Sequence, residues 1–135
     1  MSDAATDNVS RGEGYAVANL SDLGEGPGFR KIRKQLGVTA FGVNAIVLPP
    51  SYATGSHYHD EQEELYFVHS GEVEFEFGDG TTKRLGPGGL AWVDAPTERK
   101  VRNLSDSEEA VYVIVGGRGG YVGRDGKLAE GEAHR

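Results

Sequence analysis

The chain of 135 residues contains no cysteine. Disulfides, thiolate nucleophiles and cysteine-built zinc sites are therefore excluded, and the absence fits a reducing compartment. Basic residues are in the minority, with 14 Lys and Arg against 21 Asp and Glu, a formal net charge of −7. Neutralising phosphates takes a surplus of cations, so nucleic acid is not an expected partner. One copy of "GRGG" at Gly117–Gly120 reads as a flexible turn rather than an RNA-binding repeat. Long apolar runs are also missing. No stretch approaches the ~18 apolar residues of a membrane span. The polar opening "MSDAATDNVSRGEG" lacks the basic start and apolar run of a secretory signal. A cytoplasmic protein with no membrane partner is expected.

What the chain does have is glycine, 21 residues of it, and many short apolar stretches between turn signals. Its length suits one domain with a single core. Residues 1–14 lack a hydrophobic pattern and are expected to form a flexible arm; 15–116 hold the folded domain; 117–135 are a glycine-rich tail. "FRKIRKQL" (Phe29–Leu36) is expected to be a strand or extended, since its apolar positions are too few to mark a helix. "TAFGVNAIVLPP" reads as a strand that ends at two prolines, which cannot continue a central ladder. Between Glu72 and Phe77 charge and apolar residue alternate strictly. This period of two predicts a half-buried strand with Val73, Phe75 and Phe77 inside and the glutamates in solvent. "GDG" turns that strand into a hairpin. Leu90–Val93, "ERKVRN" and "EEAVYVIVG" supply further strands. Tyr66, Trp92, Phe75 and Phe77 are expected in the core. The class is all-β, a sandwich or small barrel.

Two of the four histidines stand either side of one tyrosine in "HYHDEQEEL", His57 to Leu65. On a strand they point to one face, ~7 Å apart. Glu64 follows after a loop, and its alternation with Tyr66 and Val68 turns it inward. Two imidazoles and one carboxylate with open positions suit Fe(II), and Mn, Ni or Zn can use similar sets. A polar barrel rim is the plain alternative. Glu63 is the backup carboxylate, His69 faces the opposite way from Glu64, and His134 in the tail carries little weight.

With this spacing the sequence resembles the cupin superfamily, in its small, single-domain, conserved-barrel form. "HYHDEQEELYFVHSG" carries the family's first motif, from His57 through His59 and Glu64 to Gly71, although Ser51 stands where the motif opens with glycine. The second motif falls on "GGLAWVDAPTERKVRN", where Gly88 and Asn103 match, Asp94 and Pro96 replace a proline and a glycine, and Arg99 replaces a histidine. The resemblance implies a double-stranded β-helix (a cupin or jelly-roll barrel) from about Thr39 to Val115, and a homodimer. It also implies that Arg99 stands where a metal-binding relative has its fourth ligand. A guanidinium has five donors and no acceptor and cannot ligate a metal.

Three readings of function stay open. The leading one is a barrel pocket of His57, His59, Glu64 and Arg99 for a small, anionic molecule, with a degenerate metal site. The second is a metal-dependent enzyme, dioxygenase- or isomerase-like, using one divalent Fe, Mn, Ni or Zn at His57, His59 and Glu64. The third is a non-catalytic scaffold with a vestigial pocket.

Overall fold

The structure, a computed structural model, describes residues 8–130; His134 lies outside them. Its strands are β1 (Ser10–Gly12), β2 (Tyr15–Val17), β3 (Gly28–Arg30), β4 (Gly42–Leu48), β5 (His57–His59), β6 (Glu63–Ser70), β7 (Val73–Phe77), β8 (Thr82–Leu85), β9 (Leu90–Val93), β10 (Arg99–Asn103), β11 (Ala110–Gly117) and β12 (Gly126–Leu128), with one short helix, α1 (Ile32–Leu36). β1 and β2 form a two-stranded ribbon, so the expected arm ends in a paired strand. The remaining strands make two five-stranded sheets, ordered β12-β5-β10-β7-β8 and β3-β4-β11-β6-β9, with every pairing antiparallel.

The core lies between these sheets. Val73, Phe75 and Val101 from one meet Leu48, Tyr66, Val68, Val93, Ala110 and Tyr112 from the other. The Tyr66 ring packs edge-on against Phe75, centroids 5.0 Å apart. Burying each large side chain here is worth about 1.5–3 kcal/mol. The alternation from Val73 onward runs in the expected phase: Val73 and Phe75 are fully buried. Phe77, at the strand end, is only partly buried and stacks on Phe75. Glu74 is less solvated than expected, because Arg102 and Arg84 of the flanking strands pair with it.

Two expectations need correction. Phe29–Leu36 is not one extended segment: Gly28–Arg30 is a strand, and Ile32–Leu36 is a helix closed by Gly37 at φ 84°. A left-handed glycine ends a helix at little steric cost, and one turn and a half is too short to show a period. Trp92 is not in the core but 62% exposed. Val93 faces inward opposite Glu64, which turns Trp92 out beside Leu65. There its indole N–H donates to Glu63 Oε1 at 2.6 Å.

Two turns explain the first motif's glycine positions. Gly71 links β6 to β7 at φ 81°, and a Cβ there would come within 2.8 Å of the Ala110 Cα. Only glycine fits both demands. Ser51 also has positive φ, 62°. The chain therefore keeps the backbone shape that suits the motif's opening glycine but carries it on a side chain that disfavours it.

Candidate functional site

β5 presents both histidines on one strand, and β6 brings Glu64 and Tyr66 to the same inward face. His57, His59 and Glu64 each offer a ligand atom, and these atoms lie within 4.8 Å of one another. The expected convergence is thus present, with Glu64 rather than the exposed Glu63 as its carboxylate. His69 faces outward. The two imidazole rings meet edge to face, centroids 5.4 Å apart.

His59 is held at both ring nitrogens. Nδ1 lies 2.8 Å from Asp125 Oδ1, and Nε2 lies 3.2 Å from Glu64 Oε2. The other oxygen of Glu64 accepts the Tyr66 hydroxyl at 2.8 Å. Burial opposes a charged His59, but the hydrogen bond and charge of Glu64, followed by Asp125, outweigh it and raise its pKa above the ordinary imidazole value. Burial would likewise raise Glu64, yet His59, Tyr66 and Arg99 together hold it below the usual carboxylate value. His57 shifts the other way, pushed down by burial and then by the Arg99 charge. The two imidazoles thus shift in opposite directions, His57 toward its neutral form and His59 toward its charged one. A metal ion at this site would have to break the contact between His59 Nε2 and Glu64 Oε2.

Asp125 was not legible as a site residue. It lies 66 positions beyond His59, in the stretch set apart as a tail, and β12 carries it back against β5. Burial would raise its carboxyl, but donors from the Gln62 side chain and backbone, His59 and the Glu61 N–H hold it far below the usual range. A single acid in the charged, glycine-rich stretch "GRDGK" gave no local pattern to mark it.

Arg99 turns inward and is completely buried. Its Nη2 donates to the Asp94 carbonyl at 2.8 Å, and its Nη1 stands 4.0 Å from Glu64 Oε1. Nε and Nη1 have no hydrogen-bond partner among the described residues. Arg99 is not among the residues that line the adjoining cavity. That cavity, about 680 Å³, runs between the sheets past His57, His59, Glu64, Tyr66 and Tyr112. Its walls are largely aliphatic and aromatic, and Arg124 is the one Lys or Arg among its lining residues.

The donor set fits a divalent metal in kind, two imidazoles and a carboxylate in reach of one point. The guanidinium at the fourth corner opposes it. Among the described residues no helix is long and apolar enough to cross a membrane.

Residues 45–132 match the family model of the cupin domain. Solved structures agree. A sugar phosphate isomerase of the cupin superfamily from Silicibacter pomeroyi is 29% identical with TM-score 0.60, over 67% of this chain and 58% of that one. A double-stranded β-helix protein from Klebsiella pneumoniae is 25% identical with TM-score 0.60, over 67% and 76%. The DMSP lyase DddQ from Ruegeria pomeroyi, at 24% identity and TM-score 0.59 over 69% and 46%, shares the fold. This chain thus spans little more than half the length of the isomerase. No curated protein matches it by sequence. The family match over most of the chain, together with the paired five-stranded sheets, shows that the protein belongs to the cupin superfamily.

Proposed function

We infer that the protein binds a small anionic molecule in its barrel cavity, against His57, His59 and Glu64, with metal held weakly or not at all. Arg99 carries this reading. A fully buried permanent cation, 4.0 Å from Glu64, stands where a fourth metal ligand would be needed. It acts on the site through Glu64 and not by touching the ligand. The anion preference has support from Arg124, the one Lys or Arg among the described residues that line a mostly apolar cavity wall. Arg124 has no ion pair within the described residues, and its backbone adopts φ 42°. Side chains rarely take that conformation without a compensating use. A ligand with an anionic end and an apolar body matches these walls.

One observation favours a second reading, a metal-dependent enzyme. Asp125 behind His59 is the carboxylate–imidazole arrangement that orients metal ligands. His57, His59 and Glu64 would then hold the ion, which when bound would supply Lewis acidity and open positions for substrate. Sugar phosphate isomerase activity, named for one structural relative, would suit the anionic ligand of either reading. A homodimer is part of the proposal. Leu65, Phe67, Leu90 and Trp92 form an exposed apolar strip on neighbouring strands β6 and β9, and β9 is an unpaired sheet edge.

The test is an NMR titration of metal-stripped protein with succinate and with inorganic phosphate, repeated after loading with Fe(II), Mn(II), Ni(II) or Zn(II). The inference expects shifts at β5 and Arg124 without metal, lost in Arg124→Ala. Binding only after metal loading would transfer the site to the second reading. No response in either state would leave a scaffold with a vestigial pocket.

A further inference from the structure

We propose that Asp125 is a positioning residue that fixes how His59 faces the cavity, making the C-terminal strand a working part of the site. The proposal rests on the reading above only in taking His59 to face the ligand.

β5, the strand of both histidines, is three residues long. Its ladder with β10 has one position, Arg99 opposite His57, and the His59 N–H extends that side by donating to the Ala95 carbonyl at 2.8 Å. β12 pairs along its whole length: Gly126 with His59, Lys127 with Tyr58, and Leu128 with His57. The Ala129 N–H continues this clamp by donating to the Ser56 carbonyl at 2.9 Å. At the other end, Lys127 pairs with Asp60 across the surface. Among the described residues, the C-terminal strand is therefore the one that pairs with the histidine strand along its whole length.

Asp125 adds a constraint on the ring itself. Its carboxylate is buried and accepts from four donors: His59 Nδ1 at 2.8 Å, the Glu61 N–H at 2.8 Å, the Gln62 N–H at 3.0 Å and the Gln62 amide at 2.5 Å. Two of these fix the loop that leads into Glu64, so one carboxylate orients both partners of the His59–Glu64 contact. The Gln62 amide lies 3.3 Å from His59 Nδ1 but donates to Asp125, which leaves Nδ1 free to donate there too. Glycine at 126 completes the slot. A Cβ at that position would meet His59 Cε1 at 3.1 Å, so the backbone already packs close to the ring. With Nδ1 spent on Asp125, Nε2 is the nitrogen that His59 can turn to Glu64 and the cavity. A carboxylate partner of this kind selects the tautomer and orientation of an imidazole, and losing it typically costs 10–100-fold in metal affinity.

The readout is the His59 ring in ¹H–¹⁵N spectra of metal-free protein at neutral pH. In the wild type the Nδ1 proton should give a downfield, exchange-protected signal. Asp125→Asn should remove that protection and mix the ring's tautomers, while Asp125→Glu should restore part of it. Lys127→Ser, which loosens the strand only at its surface, should leave the ring spectrum unchanged. In parallel, Ni(II) dialysis should show affinity falling about 10–100-fold in Asp125→Asn, if the ion binds His59. An unprotected Nδ1 in the wild type would overturn the proposal without any variant. So would a folded Asp125→Asn with an unchanged ring spectrum. Wild type that fails to bind Ni(II) while its ring spectra behave as stated would count against metal at the site and still support Asp125.

Discussion

Replacing Arg99 isolates the feature that separates this site from a four-ligand metal centre. Its Nη1 is 4.0 Å from Glu64 Oε1. An ion bound to Glu64 would sit about 2 Å past the carboxylate, placing it roughly 5–6 Å from the guanidinium. Two unit charges at that distance and an effective dielectric near 20 repel by about 3 kcal/mol, so a dication is opposed by about 6 kcal/mol. Solvent in the open cavity and rearrangement of the side chain reduce this. If one third survives, about 2 kcal/mol remains, a factor of roughly 30 in affinity. Arg99→Met removes the charge and keeps most of the volume; Arg99→His also adds a ligand. Equilibrium dialysis with Fe(II), Mn(II), Ni(II) and Zn(II) should rank affinity as wild type, then Arg99→Met, then Arg99→His. Both variants lose the bond to the Asp94 carbonyl, so their fold is checked first by circular dichroism. Tight stoichiometric metal in the wild type, unchanged in Arg99→Met, would refute the electrostatic reasoning.

Ser51→Gly should stabilise the fold by about 1 kcal/mol, because it relieves a left-handed side chain; an unchanged or lower urea midpoint would count against strain at φ 62°. Acid should destabilise the protein through Glu64 and Asp125, whose folded pKa values are depressed. Their contribution is present above the ordinary carboxylate range, near pH ~4, and is lost as pH falls through the folded values. His59 has the opposite sign: its raised pKa contributes below pH ~6.5 and is lost as pH rises through the folded value. Urea midpoints followed from acid to alkaline pH should therefore fall on both sides, and Asp125→Asn should flatten both limbs. Trp92, the single tryptophan, is 62% exposed, so its fluorescence should be solvent-like when dilute and shift to the blue if the apolar strip pairs two copies. A constant spectrum with a monomer by sedimentation at high concentration would remove that face from consideration.

The inward phase of β6 was legible because Glu64, Tyr66 and Val68 alternate with exposed neighbours over a long strand, and a period of two needs only a few repeats to be read. The same holds for Val73 and Phe75. Trp92 was misplaced because apolarity alone does not say which face of a short strand is covered; the phase came from its pairing with β6. Ile32–Leu36 was missed because five residues cannot display a helical repeat. Arg99 was readable as inward from its alternation with Val101 and Asn103, all three of them buried. Its absence from the cavity lining depends on packing between strands distant in sequence, which no local pattern displays.

Asp125 changes what Arg99 means. Considered alone, the buried guanidinium makes the pocket hostile to a cation. Asp125 puts a carboxylate behind His59, on the other side of the candidate ligand atoms, at 2.8 Å from Nδ1. An ion on Nε2 would lie roughly 7 Å from it, an attraction of about 5 kcal/mol for a dication at the same dielectric. The two fixed charges thus come close to cancelling. What decides between metal and anion is then the number of ligands and the contact between His59 and Glu64, rather than net charge. On the first count the site offers three protein ligands; on the second, the two partners already meet at 3.2 Å. Each consideration weakens metal binding without abolishing it, and neither disfavours an anion that meets Arg124. A protein with this balance should bind its small ligand metal-free, with the His59–Glu64 contact intact.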